Sequence, residues 1–122
     1  MTLAQKPTIL CAADPGPVEI VNAASCAPIL LVCEHAGQVV PQSLKRLGVT
    51  DEVIDSHRGW DIGALEVARG VADRLGAALV IQRYSRLVFD SNRPPESPQA
   101  VPEEVDGVTI PGNVGITPAD QR

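Results

Sequence analysis

Aromatic side chains are almost missing from this chain of 122 residues, which has one Trp, one Tyr and one Phe. Its core must therefore be packed from Val, Leu, Ile and Ala, and the three rings, Trp60, Tyr84 and Phe89, fall in two short stretches, residues 57–64 and 84–94. Basic charge is also scarce. Ten Lys and Arg stand against fifteen Asp and Glu, for a net charge of −5, and no continuous basic stripe exists, which removes the electrostatic footprint of a nucleic-acid binder. A small acidic substrate is still compatible, because one local Arg matters more to it than net charge. Cys11, Cys26 and Cys33 are odd in number and form no Cys-x-x-Cys pair. That argues against a disulfide framework and for reduced thiols in a cytoplasmic protein. Met1–Gly16 holds one Lys and no sustained apolar run, so neither a signal peptide nor a membrane span is expected and residues 1–16 read as a loose lead-in. Low-complexity bias is missing too, and 44% hydrophobic with 20% charged residues is the balance of an ordered globular chain.

The patterning predicts an α/β layout. Val18-Glu19-Ile20-Val21 alternates like a short edge strand, while Ala27–Val32 is apolar on both faces, as in a central strand of a sheet covered by helices on either side. Pro41–Leu47, with Pro in the first turn and Gly48 as the stop, predicts a short helix, and Thr50–Ile54 a capped turn. From Asp61, the positions Ile62, Leu65, Ala68, Ala72 and Leu75 recur at helical spacing, with Glu66, Arg69, Asp73 and Arg74 on the polar side and Gly76 closing the helix. A strand over Ala77–Gln82 completes a strand–helix–strand unit. Beyond Arg93, Pro94, Pro95, Pro98, Pro102, Pro111 and Pro118 predict a long loop without regular elements, bordering the candidate site. Pro111-Gly112-Asn113 reads as a turn, and Thr117-Pro118 as the start of a new helix.

The candidate chemistry lies at the ends of these elements. His35, in Cys33-Glu34-His35-Ala36-Gly37, follows a buried strand directly, which is where α/β enzymes present ligands. A hydrolytic zinc site needs three N or O ligands and an open position. His35 and Asp61 are the two candidates here. Asp61 could equally cap the helix that follows it, and His57 reads as a histidine on a surface turn. Glu34, adjacent to His35 on an extended chain, points to the other face and is a weak candidate for a general base. Arg93, Asn92 and Arg86 suit capture of a carboxylate, for which a planar guanidinium is adapted, with Asp90 orienting an arginine. Surface ion pairing is the plainer role for both arginines.

Taken in order, Cys33–Gly37, His57–Ala64 and Tyr84–Pro94 resemble the N-formylglutamate amidohydrolase family, relatives of the zinc carboxypeptidases, over roughly Ala27 to Asp120. The resemblance implies a three-layer α/β fold of zinc-carboxypeptidase (phosphorylase/hydrolase-like) type, with a mixed or parallel sheet and flanking helices. It implies a divalent metal, zinc, held by His35 and Asp61, and a substrate carboxylate held by Asn92 and Arg93 with Arg86. The substrate would be an N-acyl acidic amino acid such as N-formylglutamate, cleaved to formate and glutamate. Family members continue beyond such a stretch to a third metal ligand and a catalytic Glu, so residues 17–122 are expected to be the N-terminal part of a single amidohydrolase domain. The same motifs also fit a metal- or carboxylate-binding remnant without turnover, or a related hydrolase for another acyl amino acid.

Overall fold

A computed structural model of the chain describes residues 8–116. The helix expected from Thr117 lies outside them. Three strands, β1 (Val18–Val21), β2 (Leu30–Cys33) and β3 (Ala78–Gln82), form a mixed sheet in the order β1-β3-β2. β1 runs antiparallel to β3 with Val18 opposite Gln82, and β2 runs parallel to β3 with Leu30 opposite Ala78 and Cys33 opposite Ile81. A parallel pair cannot be closed by a tight turn, and the connection carries α1 (Asp51–Asp55) and α2 (Ala64–Leu75).

Alternation along each strand sends Leu31, Cys33, Leu79 and Ile81 to one face, where they pack with Ala72, Leu65 and Ala68 of α2. The opposite face carries Val18, Ile20, Leu30 and Val32, all exposed. The central, doubly covered strand predicted over Ala27–Val32 is therefore corrected. Among the described residues β2 is an edge strand, and the sheet has one helical layer rather than two. The apolar pattern correctly marked both faces as suited to burial, but the described residues supply a cover for only one of them.

Two further expectations change. Pro41–Leu47 is not a regular helix. A 3-10 turn over Gln42–Gly48 passes into left-handed backbone at Lys45, Arg46 and Leu47, with φ of 48°, 59° and 57°. Side chains in that region cost roughly 1–2 kcal/mol per residue. The detour seats Leu47 in a second core with Val40, Ile54, Leu87 and Ile110, and that burial offsets the strain. The segment after Arg93 is also more ordered than its prolines suggest. It contains a hairpin of β4 (Glu104–Val105) and β5 (Val108–Thr109), turned by Asp106-Gly107 with φ of 46° and 77°. Two positive φ values at the turn are the signature of a type I′ hairpin, for which Asp-Gly is a favoured pair. Pro111–Asn113 is a short 3-10 turn. Asn113, buried, donates from Nδ2 to the carbonyls of Leu87 (2.7 Å) and Pro102 (2.8 Å), which ties this loop to the second core.

Residues 8–16 contain no helix or strand but are tied down. Tyr84 donates its hydroxyl to the Pro15 carbonyl at 2.5 Å, and Arg83 donates to that of Gly16 at 3.0 Å. No helix among the described residues is long and apolar enough to cross a membrane.

Candidate functional site

The chain pairs Cys33 with Ile81 and, after a break, Val39 with Tyr84. Residues 34–38 therefore span a distance that residues 82–83 cross on the neighbouring path, and the surplus is pushed outward as a turn. This turn carries His35. Gly37 makes the detour possible, because a Cβ there would lie 1.9 Å from the Arg83 carbonyl oxygen.

His35 is held between two carboxylates. Its Nδ1 lies 3.2 Å from Asp61 Oδ2, and its Nε2 lies 2.6 Å from Asp90 Oδ1. Asp61 reaches it because its own backbone N–H donates to the His35 carbonyl at 2.9 Å. The expectation that α2 opens at Asp61 is corrected by this geometry. The helix begins at Ala64 behind a left-handed Gly63 and has no side-chain cap, so the Asp61 carboxylate is free to face His35 instead of the helix amides. Asp90 is buried, at 2% exposure. It also accepts from the backbone of Asn92 at 3.0 Å and from Arg86 Nη2 at 3.2 Å, with Arg93 Nε at 3.9 Å.

The structure thus brings His35, Asp61, Asp90 and Arg86 into one cluster, with Arg93 at its rim. Arg86 also approaches Asp61, at 3.8 Å, and its side chain is mostly buried. Arg93 is half exposed, and its ion pair with Asp90 is long. Arg86 is thereby committed to the cluster, while the Arg93 fork remains accessible to a ligand. Asn92 joins through its backbone N–H. His57 does not join; its Nε2 meets Asp106 Oδ2 of the hairpin turn at 2.6 Å, in solvent. Trp60 donates its indole N–H to the Asp55 carbonyl at 3.0 Å, which is a structural use of the ring. Beside the cluster, an open hollow of about 570 Å³ is lined by Val32, Glu34, His35, Asp61, Ile62 and Val67, among others.

The donor set can be tested against a metal. Two ligands of one tetrahedral zinc, at bond lengths near 2.0–2.2 Å, stand about 3.3 Å apart. The His35 Nδ1–Asp61 Oδ2 separation of 3.2 Å matches that spacing. The other ring nitrogen rests on a buried carboxylate, as is usual for metal-ligating histidines. No group of three or more His, Cys, Asp or Glu side chains arranged for a metal is found among the described residues. The pair fits a metal but does not complete a site.

The N-formylglutamate amidohydrolase family model matches residues 27–119. The chain belongs to this family. The match includes the His35 turn, Asp61 and the Arg86–Arg93 segment. A gene product of Agrobacterium tumefaciens, known from its crystal structure, is 45% identical to the chain and superposes on 93% of it with a TM-score of 0.88. The chain spans 45% of the length of that protein. No protein of curated function matches.

In the sequence, Asn92 and Arg93 mark the Arg86–Arg93 segment, and Asp90 shows only the role of orienting an arginine; the structure adds its contact with His35. That contact, across 55 positions, depends on the pairing of β2 with β3.

Proposed function

We propose that the chain carries the metal- and carboxylate-binding part of a cytoplasmic, metal-dependent amidohydrolase of the N-formylglutamate type. His35, through Nδ1, and Asp61 are two ligands of a divalent ion, zinc by resemblance to the family, and Asp90 holds the His35 ring in the ligating orientation. When bound, such an ion polarises the scissile carbonyl and lowers the pKa of water. Arg93, with Asn92, binds the carboxylate of an N-acyl acidic amino acid, its planar fork matching two carboxylate oxygens. Arg86, paired with both Asp61 and Asp90, offsets the repulsion between the two carboxylates and adds positive potential beside the substrate. The observation that carries this reading is the clasp of His35 between Asp61 and Asp90 at a strand end, in a chain of this family. A third ligand and a general base are not assigned to residues 8–116, so full turnover of N-formylglutamate to formate and glutamate requires groups outside them.

The test is a zinc titration of the 122-residue chain by calorimetry, followed by addition of N-formylglutamate. Zinc uptake is expected in the wild type and in Arg93→Lys but not in His35→Ala or Asp61→Asn. N-formylglutamate is expected to bind the wild type about tenfold or more tightly than it binds Arg93→Lys, because Lys keeps the charge and loses the two-bond geometry. Formate release is expected to be undetectable. Unchanged zinc uptake in both ligand variants would overturn the metal assignment, and equal binding by Arg93→Lys would return Arg93 to a surface ion pair.

A further inference from the structure

β3 ends on a polar residue, Gln82, whose side chain turns away from the core. Leu79 and Ile81 face α2, so Gln82 stands with Val80 on the open side of the sheet, opposite Val18 of β1. There it meets the Phe89–Ser91 stretch, which returns over the strand end. Gln82 Nε2 donates to the Phe89 carbonyl at 3.2 Å, and Gln82 Oε1 accepts from the Ser91 hydroxyl. A carbonyl can only accept, which fixes the amide the way round that uses both of its ends. Val18, Val32, Val80 and Ser91 line the same shallow hollow as Gln82. The amide is thus a polar anchor set among apolar strand residues.

The two residues it grips flank Asp90. Asp90 builds the turn that presents Arg93: its Oδ1 accepts from the Asn92 N–H at 3.0 Å, and its carbonyl accepts from the Arg93 N–H at 3.1 Å. The Arg93 guanidinium is half exposed and 3.9 Å from Asp90, so the backbone of the turn, more than a close side-chain contact, sets where its fork stands. Asp90 itself reaches His35 and Arg86. The turn is therefore held from the cluster and from the open sheet face alike. We propose that Gln82 is a positioning residue for carboxylate capture. By fixing Phe89 and Ser91 it keeps the Asp90–Arg93 turn in the form that offers Asn92 and the Arg93 fork to a substrate carboxylate. A forked pair tolerates little displacement, because two N–H groups must meet two oxygens in one plane. The inference rests on the carboxylate reading of Arg93 and is independent of the metal.

Gln82→Met keeps the length of the side chain and removes both bonds. Ser91→Ala, at an exposed position, removes one of them without touching the core. In the unliganded 122-residue chain, hydrogen exchange at the Asn92 and Arg93 amides is expected to quicken by about tenfold in Gln82→Met and by less in Ser91→Ala, with unchanged far-ultraviolet circular dichroism. N-formylglutamate, titrated with and without zinc, is expected to bind Gln82→Met about five- to tenfold more weakly than the wild type. A merely structural loss would add to the effect of any other substitution, so the double variant of Gln82→Met and Arg93→Lys decides the role. It is expected to bind no more weakly than Arg93→Lys alone. Unchanged exchange in both single variants, or additive losses in the double variant, would overturn the proposal. Faster exchange together with equal binding by wild type and Arg93→Lys would instead overturn the carboxylate reading, and the part of Gln82 in binding with it.

Discussion

Asp90 is the residue on which the cluster turns. It is buried, serves His35, Arg86 and the Asn92 amide at once, and donates its own N–H to the Ala100 carbonyl at 2.7 Å. Removing one partner of a buried charged network leaves the others unpaired, so Asp90→Ala is expected to destabilise the chain by about 3 kcal/mol. The measurement is urea unfolding. Under the metal reading the same change also lowers zinc affinity by roughly 10–100-fold, since a carboxylate on the second ring nitrogen orients the ligand and raises its basicity. A stable variant with unaltered zinc affinity would separate Asp90 from the site. His35 is legible as a candidate from its residue type and strand-end position, and Asp61 from its place just before a helix and its match to the family's second block. The role of Asp61 as partner rather than cap is not, because Asp suits both and only the left-handed Gly63, which moves the helix start to Ala64, decides between them.

Among the elements, the long ones were readable and the short ones less so. The apolar spacing of Leu65, Ala68 and Ala72 marks α2 in the sequence alone, and Gly76 closes it in a left-handed conformation, φ 59°. The β4–β5 hairpin departs from the loop that the surrounding prolines predict, and its local signal is Val105-Asp106-Gly107-Val108. The left-handed run at Lys45–Leu47 has no comparable sequence mark, because three non-glycine residues adopt it only where the second core receives Leu47. Asn113 binds that core to the proline-rich loop. Asn113→Ala would leave the Leu87 and Pro102 carbonyls buried without donors, and a loss of about 2–3 kcal/mol is expected. Thermal unfolding checks this, and a change within error would mean that water replaces both bonds.

At the scale of the whole molecule, its response to pH and thiol reagents follows from where charge and burial fall. Cys11 and Cys26 are exposed and Cys33 is buried. Burial, followed by the charges of Glu34 and Asp61, pushes the Cys33 thiol up from the ordinary range. Two thiols are therefore expected to react quickly with a disulfide reagent and the third only on unfolding. The unfolded chain ionises this thiol at lower pH than the folded one does, so the unfolded form binds fewer protons. Stability then falls as pH rises through the ordinary thiol range, near about 8.5 and above, and Cys33→Ala lacks that fall. On the acid side, the Asp14 carboxylate is held low first by the Cys11 amide and then by the Gln42 amide. Its contribution is present above the ordinary carboxylate range and is lost as pH falls below it. Urea midpoints across pH measure both arms, and rapid reaction of all three thiols in the native chain would refute the buried placement of Cys33.

Local chemistry accounts for what could be read from the residues alone: the α/β class, α2, the strands beside it, and the His35, Asp61 and Arg86–Arg93 segments. Helical and alternating periodicities, and the few residue types able to ligate a metal or fork onto a carboxylate, are properties of short stretches. Tertiary structure alone decided the rest. The clasp of His35 by Asp61 and Asp90 joins residues 26 and 55 positions apart, and no local rule reaches across those separations. Likewise, Leu30 and Val32 have the apolar character of buried residues, but whether a strand is central or at an edge depends on which other strand pairs with it, and among residues 8–116 only β3 does.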